Sequence, residues 1–164
     1  PAPPLAACVI TEPVVLISIT TPKQSIQFPD HPLLSCAMAE RFAKFSMDIA
    51  APMALSTYGK PLAAISTGPG FECRPRNRVA GAKISSHGQG NAVDVMMMEL
   101  SGGRKIVVEK PDGAQTVKLL ASFRTAACQA FNTVLGPGSD ASHANHIHID
   151  IEPRGKSGTA KFCQ

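Results

Sequence analysis

The stretch Ser142-His143-Ala144-Asn145-His146-Ile147-His148-Ile149-Asp150-Ile151 constrains this chain more than any other. Side chains on a β-strand alternate between two faces. Read as a strand, the stretch puts His146, His148 and Asp150 on one face, and Ile147, Ile149 and Ile151 on the other. Alternating isoleucines need a core to bury against, so the strand is anchored. The opposite face then carries two imidazoles and a carboxylate in a row on a rigid element. That donor set suits a metal ion or acid–base chemistry. The bland alternative is a solvated edge strand with incidental histidines, which needs no partner residues elsewhere.

Partners are present upstream, in the pattern Ser86-His87-x-x-Gly90-x-Ala92-x-Asp94. Gly88 and Gly90 permit a tight backbone path between His87 and Asp94. Asp94 falls on a predicted strand from Ala92 to Met98, with Val93, Val95 and Met97 toward the core and small Ala92 leaving room. His87, Asp94 and one histidine of the final strand make a two-histidine, one-carboxylate set. Three protein ligands leave one tetrahedral position of a zinc ion for water, whose pKa then falls to about 7. The other strand histidine is placed to handle protons. Such sets also hold ferrous iron in oxygenases, but nothing in the sequence marks a cosubstrate pocket.

A length of 164 residues suits one domain, 1–164, with a sizeable core. With 44% hydrophobic and 17% charged residues, disorder is excluded. The net charge of +4 is scattered and not interleaved with aromatics, which argues against nucleic acid as the partner. A basic surface also suits an anionic polymer such as a cell wall. No apolar run reaches the roughly 18 residues of a membrane span. No signal peptide is visible; the start at Pro1-Ala2-Pro3-Pro4 reads as processed or trimmed, and export stays open. The five cysteines, Cys8, Cys36, Cys73, Cys128 and Cys163, form no CxxC pair. Their wide spread points to long-range disulfides in an oxidising compartment, with one thiol left over and the pairing open. Buried free thiols in a cytosolic protein are the alternative.

Periodicity and turn signals predict an α+β fold with helices packed on a small antiparallel sheet. Residues 1–31 read as an extended arm with a strand at Val14–Ile19, and His31, between prolines, as a surface loop residue. A first helix is expected from about Pro32 to Pro52, capped by Asp30, with Leu34, Met38, Phe42, Phe45 and Ile49 on its apolar stripe. A strand follows at Pro61–Thr67, another at Lys105–Glu109, and a second helix from about Gln115 to Leu135. The tail from Glu152 reads as irregular until Cys163.

The set His87-x6-Asp94 with a distant His146-x-His148 resembles the zinc peptidases of bacterial cell-wall metabolism. These include the D-alanyl-D-alanine carboxypeptidases and dipeptidases and the penicillin-insensitive murein endopeptidases, which share a fold with hedgehog signalling domains. More closely, the chain resembles the extensin-like C-terminal domain family of bacteria. The matching runs are Cys8-Val9-Ile10-x-x-Pro13-Val14, Cys73-Arg74-Pro75-Arg76-Asn77, Ser86-His87-x-x-Gly90-Asn91-Ala92-x-Asp94, Phe131-Asn132-x-Val134-Leu135-Gly136-Pro137-Gly138 and His143-x-x-His146-x-His148-x-Asp150.

The resemblance implies a hedgehog- or D-Ala-D-Ala-peptidase-like fold. It implies zinc on His87, Asp94 and His148, with His146 beside the metal water as the base. It also implies Arg74, or alternatively Arg76, in contact with substrate. The plain reading of the two arginines is a surface salt-bridge pair. His143 is a candidate for stabilising an oxyanion, and Asp150 for orienting an imidazole or lining the substrate cleft. One departure stands out: Asn145 occupies the place of the glutamate base of the D-alanyl-D-alanine peptidases. Two functions follow as expectations. One is an exported, periplasmic or envelope zinc peptidase cutting a stem or crosslink bond of peptidoglycan. The other is a non-catalytic zinc-containing module that binds cell wall or a partner.

Overall fold

The computed structural model describes residues 7–164, so the Pro1-Ala2-Pro3-Pro4 start lies outside the described residues. The expected arm is woven into sheets. It forms β1 (Pro13–Val15), β2 (Ser18–Thr20) and β3 (Ser25–Gln27), followed by β4 (Leu33–Ser35). The predicted strand Val14–Ile19 is two strands, because its hydrogen bonds change partner midway. β1 pairs with β4, Leu16 N–H donates to Pro32 O and Ile17 O accepts from Phe28 N–H, and β2 then pairs with β3.

The first helix starts later and runs further than its periodicity predicts. Ser35, not Asp30, is the cap: its side chain accepts from Met38 N–H. Asp30 instead accepts from the backbone N–H groups of Thr67 and Gly68. α1 (Cys36–Phe45) continues through a π-turn, Ser46–Ala50, into α2 (Ala51–Tyr58). Pro52 therefore lies inside the helical run instead of ending it. Proline has no N–H to donate and its ring crowds the carbonyl four residues back. The widened turn, in which Ala51 N–H reaches back to Ser46 O, falls where that ring must be accommodated. Met38, Phe42 and Phe45 are buried, but the extra residue rotates Ile49 outward to 40% exposure.

The chain then forms β5 (Leu62–Ser66), β6 (Ala92–Val95), β7 (Met97–Leu100) and β8 (Lys105–Val107). α3 (Ala114–Ala130), β9 (Thr133–Leu135), β10 (Ile147–Asp150) and β11 (Phe162–Cys163) complete it. The predicted strand Ala92–Met98 is broken at exposed Met96. Val93 and Val95 are buried before it, and Met98 and Leu100 after it, so the alternation shifts and the chain passes from one sheet to another. The predicted helix Gln115–Leu135 ends at Ala130. Phe131 is extended, and β-branched Thr133 and Val134 join β10 as a strand instead.

The mixed α+β class holds, but the single small antiparallel sheet does not. The described residues form three sheets: β1-β4, β11-β9-β10-β6 and β2-β3-β5-β7-β8. Two pairings, β3–β5 and β9–β11, are parallel. The core lies between the helices and the two larger sheets, with Phe45 edge-on to Phe123 at 5.2 Å and to Phe131 at 5.4 Å. Disulfides join Cys8 to Cys73 and Cys128 to Cys163, leaving Cys36 free. Two such bridges are consistent with an exported protein. Among the described residues, no helix is long and apolar enough to cross a membrane.

Candidate metal centre

β6 and β10 run antiparallel with Asp94 opposite His148, Val93 opposite Ile149 and Val95 opposite Ile147. The aliphatic pairs are buried in the core, which leaves Asp94 and His148 together on the other face. His87 arrives on a short 3-10 turn, Ser86–Gln89, capped by the Ser85 hydroxyl and closed by Gly90 at φ 67°. Only glycine suits that closure. A Cβ there would meet Ser35 N at 2.8 Å, because Ser35 N–H donates to Gly90 O at the start of α1.

Three donor atoms converge. His87 Nε2 is 3.2 Å from Asp94 Oδ1 and 3.2 Å from His148 Nδ1, and His148 Nδ1 is 2.9 Å from Asp94 Oδ1. Ligands at 2.0–2.2 Å from a tetrahedral zinc ion stand about 3.3 Å apart. The three atoms are thus spaced like corners of one tetrahedral face. Their outer nitrogens are also held. His87 Nδ1 lies 2.6 Å from Gly70 O. A carbonyl only accepts, so Nδ1 carries the proton and Nε2 keeps its lone pair for an ion. His148 Nε2 lies 3.2 Å from Asp150 Oδ2, a carboxylate behind the ring. Support of this kind fixes ring orientation and raises ligand basicity. Two imidazoles and one carboxylate fit zinc by chemistry as well as by spacing.

The charges reinforce one another. Burial pushes the Asp94 carboxyl up, but the hydrogen bond from His148, with the His87 ring beside it, outweighs burial and holds the group well below its usual range. Burial pushes His148 down, but its bonds to Asp150 and Asp94 raise it to about 9. A metal ion at Nδ1 would compete with the proton that these two carboxylates favour.

A family model described as extensin-like protein C-terminus matches residues 1–164. The chain belongs to this family. No curated protein and no solved structure matches it.

The centre of this extensin-like domain opens onto a cleft of about 600 Å³, lined among others by Asp94, His143, His146 and His148. His146 sits just before β10, not within it, with Nε2 3.5 Å from Asp94 Oδ1. Burial lowers its pKa. Its Nδ1 lies 2.8 Å from Asn145 Oδ1. Asn145, which looked like the mark of a missing base, therefore orients the neighbouring imidazole. Asp150 is 2% exposed and supports His148 from behind.

Both arginines line the cleft with carboxylate partners. Arg74 Nε donates to Glu72 Oε2 at 2.7 Å, and Arg76 pairs with Glu152. Sequence reasoning missed Glu72, Glu152, Gly70 and Asp140. Glu72 and Gly70 reach the site from another chain segment without a spacing pattern, whereas Glu152 continues the period-two row of His148 and Asp150. Asp140 carried a legible signal, being three residues before His143 in cap position.

Proposed function

We propose that this extensin-like domain is a zinc-dependent peptidase of the periplasm or cell envelope, cutting a peptide bond in the stem or crosslink of peptidoglycan. One observation carries the proposal. His87, Asp94 and His148 present three donor atoms at tetrahedral spacing beside an open cleft, with a fourth group, His146, at its edge. Resemblance to the murein endopeptidases, which have the same H-x-H arrangement, supports the reading.

A bound zinc ion supplies Lewis acidity toward water and a peptide carbonyl. The chain supplies the rest. Asn145 holds His146 Nδ1–H, so Nε2 presents its lone pair to the cleft and accepts a proton from water. The same imidazole returns a proton to the departing amine. Arg74, fixed by Glu72, offers its remaining N–H groups to the substrate's oxygens. Arg76, Arg78 and Arg154 also line the cleft, among the carboxylates of Glu72, Asp140 and Asp150, so it offers both signs of charge to a wall peptide.

Asn145 also favours a second reading, since it stands where related peptidases carry a glutamate base: a zinc-containing module that binds wall without cutting it. Elemental analysis of the purified protein, followed by digestion of sacculi and mass mapping of released muropeptides, decides between them. The hydrolase reading predicts zinc near one per chain and released fragments, both lost in His87→Ala and Asp94→Ala. Sacculus binding without fragments supports the binding module. Undiminished cleavage by both variants sinks the metal mechanism.

A further inference from the structure

Asp140 and His143 form a second histidine–carboxylate couple on the cleft, separate from the ligand set. His143 Nδ1 lies 2.8 Å from both carboxylate oxygens of Asp140. Oδ1 of the same carboxylate accepts the backbone N–H groups of Ser142 and His143, so its own position is fixed. Burial raises the Asp140 carboxyl, but these bonds prevail and keep it ionised at neutral pH. An ionised carboxylate only accepts, so His143 carries a hydrogen on Nδ1 and turns Nε2 away from Asp140.

That nitrogen faces the cleft, which His143 lines. His143 is 7% exposed, and its Nε2 has no hydrogen-bond partner among the described residues. Yet no sealed side-chain polar atom among the described residues lacks a partner. The atom is therefore open, and the opening beside it is the cleft that His143 lines. The His143 ring is 5.3 Å from that of His146 and 5.6 Å from that of His148, centre to centre.

We infer that Asp140 is a positioning residue that locks His143 with Nε2 open to the cleft, making the couple a second proton-accepting group beside His146. Held this way, His143 takes a proton-relay role in place of the oxyanion role that the family resemblance implies. The role follows from the stoichiometry of amide hydrolysis. RCO–NH–R′ plus water gives RCOO⁻ plus R′NH₃⁺. The C–N bond breaks, a C–O bond forms, and both protons of the water end on the nitrogen. Two proton transfers are needed, and two imidazoles stand on one cleft. His146 carries the first proton and His143 the second. Asp140 stabilises the imidazolium that His143 becomes in between.

This inference rests on the hydrolase reading for its kinetic consequence, but not for its geometry. The test compares zinc-loaded wild type with Asp140→Asn, Asp140→Ser, His143→Ala and the double variant Asp140→Ser/His143→Ala, using a crosslinked muropeptide. Asparagine and serine both keep the helix cap, so folding is preserved. Asp140→Ser is expected to lower kcat on the order of 10²-fold with KM and zinc content unchanged. The double variant is expected to be no worse than His143→Ala alone, since Asp140 acts only through that ring. Wild-type turnover in Asp140→Ser, or additive losses in the double variant, overturns the inference.

Nitrogen-15 histidine spectra give a readout independent of turnover. Wild type should show His143 protonated at Nδ1, and Asp140→Ser should lose that single tautomer. An Nε2–H tautomer in wild type overturns the positioning role. If wild type cleaves nothing, the hydrolase reading fails, and these spectra alone decide the role of Asp140.

Discussion

His148 stands between two carboxylates: Nδ1 is 2.9 Å from Asp94 Oδ1, and Nε2 is 3.2 Å from Asp150 Oδ2. Asp94 shares the ligand side, while Asp150 supports the ring from the buried side. Removing the rear charge should weaken metal binding without removing a ligand. Asp150→Asn is expected to lose about 10–100-fold in zinc affinity. His148→Ala should lose stoichiometric binding outright. Competition with a chromophoric chelator measures both. Wild-type affinity in Asp150→Asn would remove that residue from the centre.

Asp94 and His148 were legible in the sequence because period-two alternation with valines and isoleucines fixes which face they share. The structure adds their register, which brings them directly opposite. His146 was misplaced by the same rule. It was counted into the strand, but the strand begins one residue later, and proximity to Asp94 brings it to the site instead. The helix boundaries failed where local propensity met tertiary pairing. Thr133 and Val134 fall inside the predicted helix, yet β10 offers them a ladder, and the ladder wins. Gly70 and Glu72 left no signal, because their roles come from how the loop beyond β5 folds back over the His87 turn.

His146 should matter to turnover and not to metal. Its Nε2 approaches Asp94 only to 3.5 Å, outside the ligand triangle. His146→Ala is expected to retain zinc and lose about 10²–10⁴-fold in kcat. Asn145→Ala removes only the acceptor that orients the ring and should lose less. Muropeptide release with zinc analysis of the same samples checks both. Full turnover in His146→Ala would mean that the base lies elsewhere on the cleft.

Glu152 ties the cleft wall together and should set part of the acid stability. It accepts from Ser86 Oγ and pairs with Arg76 and Lys83. Burial raises its carboxyl, but bonds from Lys83 and Ser86 and the charges of Arg76 and Lys83 bring it below its usual value of 4.5. A depressed carboxylate contributes stability above its unfolded pKa and loses it as pH falls through the folded value. Glu152→Gln should therefore be less stable than wild type at pH 7, by about 1–2 kcal/mol given the solvent around Lys83. At an acid pH below that depressed folded value the gap should close. Urea unfolding at both pH values reads it. A gap that persists in acid would assign the loss to packing and not to charge.

Gly90 links the ligand turn to the first helix, which makes it a test of whether site and scaffold are one unit. Its φ of 67° disfavours any side chain, and a Cβ would meet Ser35 N at 2.8 Å and Ile10 Cγ2 at 2.9 Å. Ser35 caps α1, its N–H donates to Gly90 O, and its hydroxyl donates to Asn91 Oδ1. Alanine at 90 should therefore disturb the helix start and the His87 turn together. Gly103 is the control, with φ 87° and open space around its Cβ position. Gly103→Ala should lose only the conformational part, about 1–2 kcal/mol, and keep full zinc affinity. Gly90→Ala should lose clearly more stability and bind zinc more weakly. Denaturation and metal titration of the two variants side by side make the comparison. Equal losses with equal zinc affinity would show that the turn holds His87 without help from the start of α1.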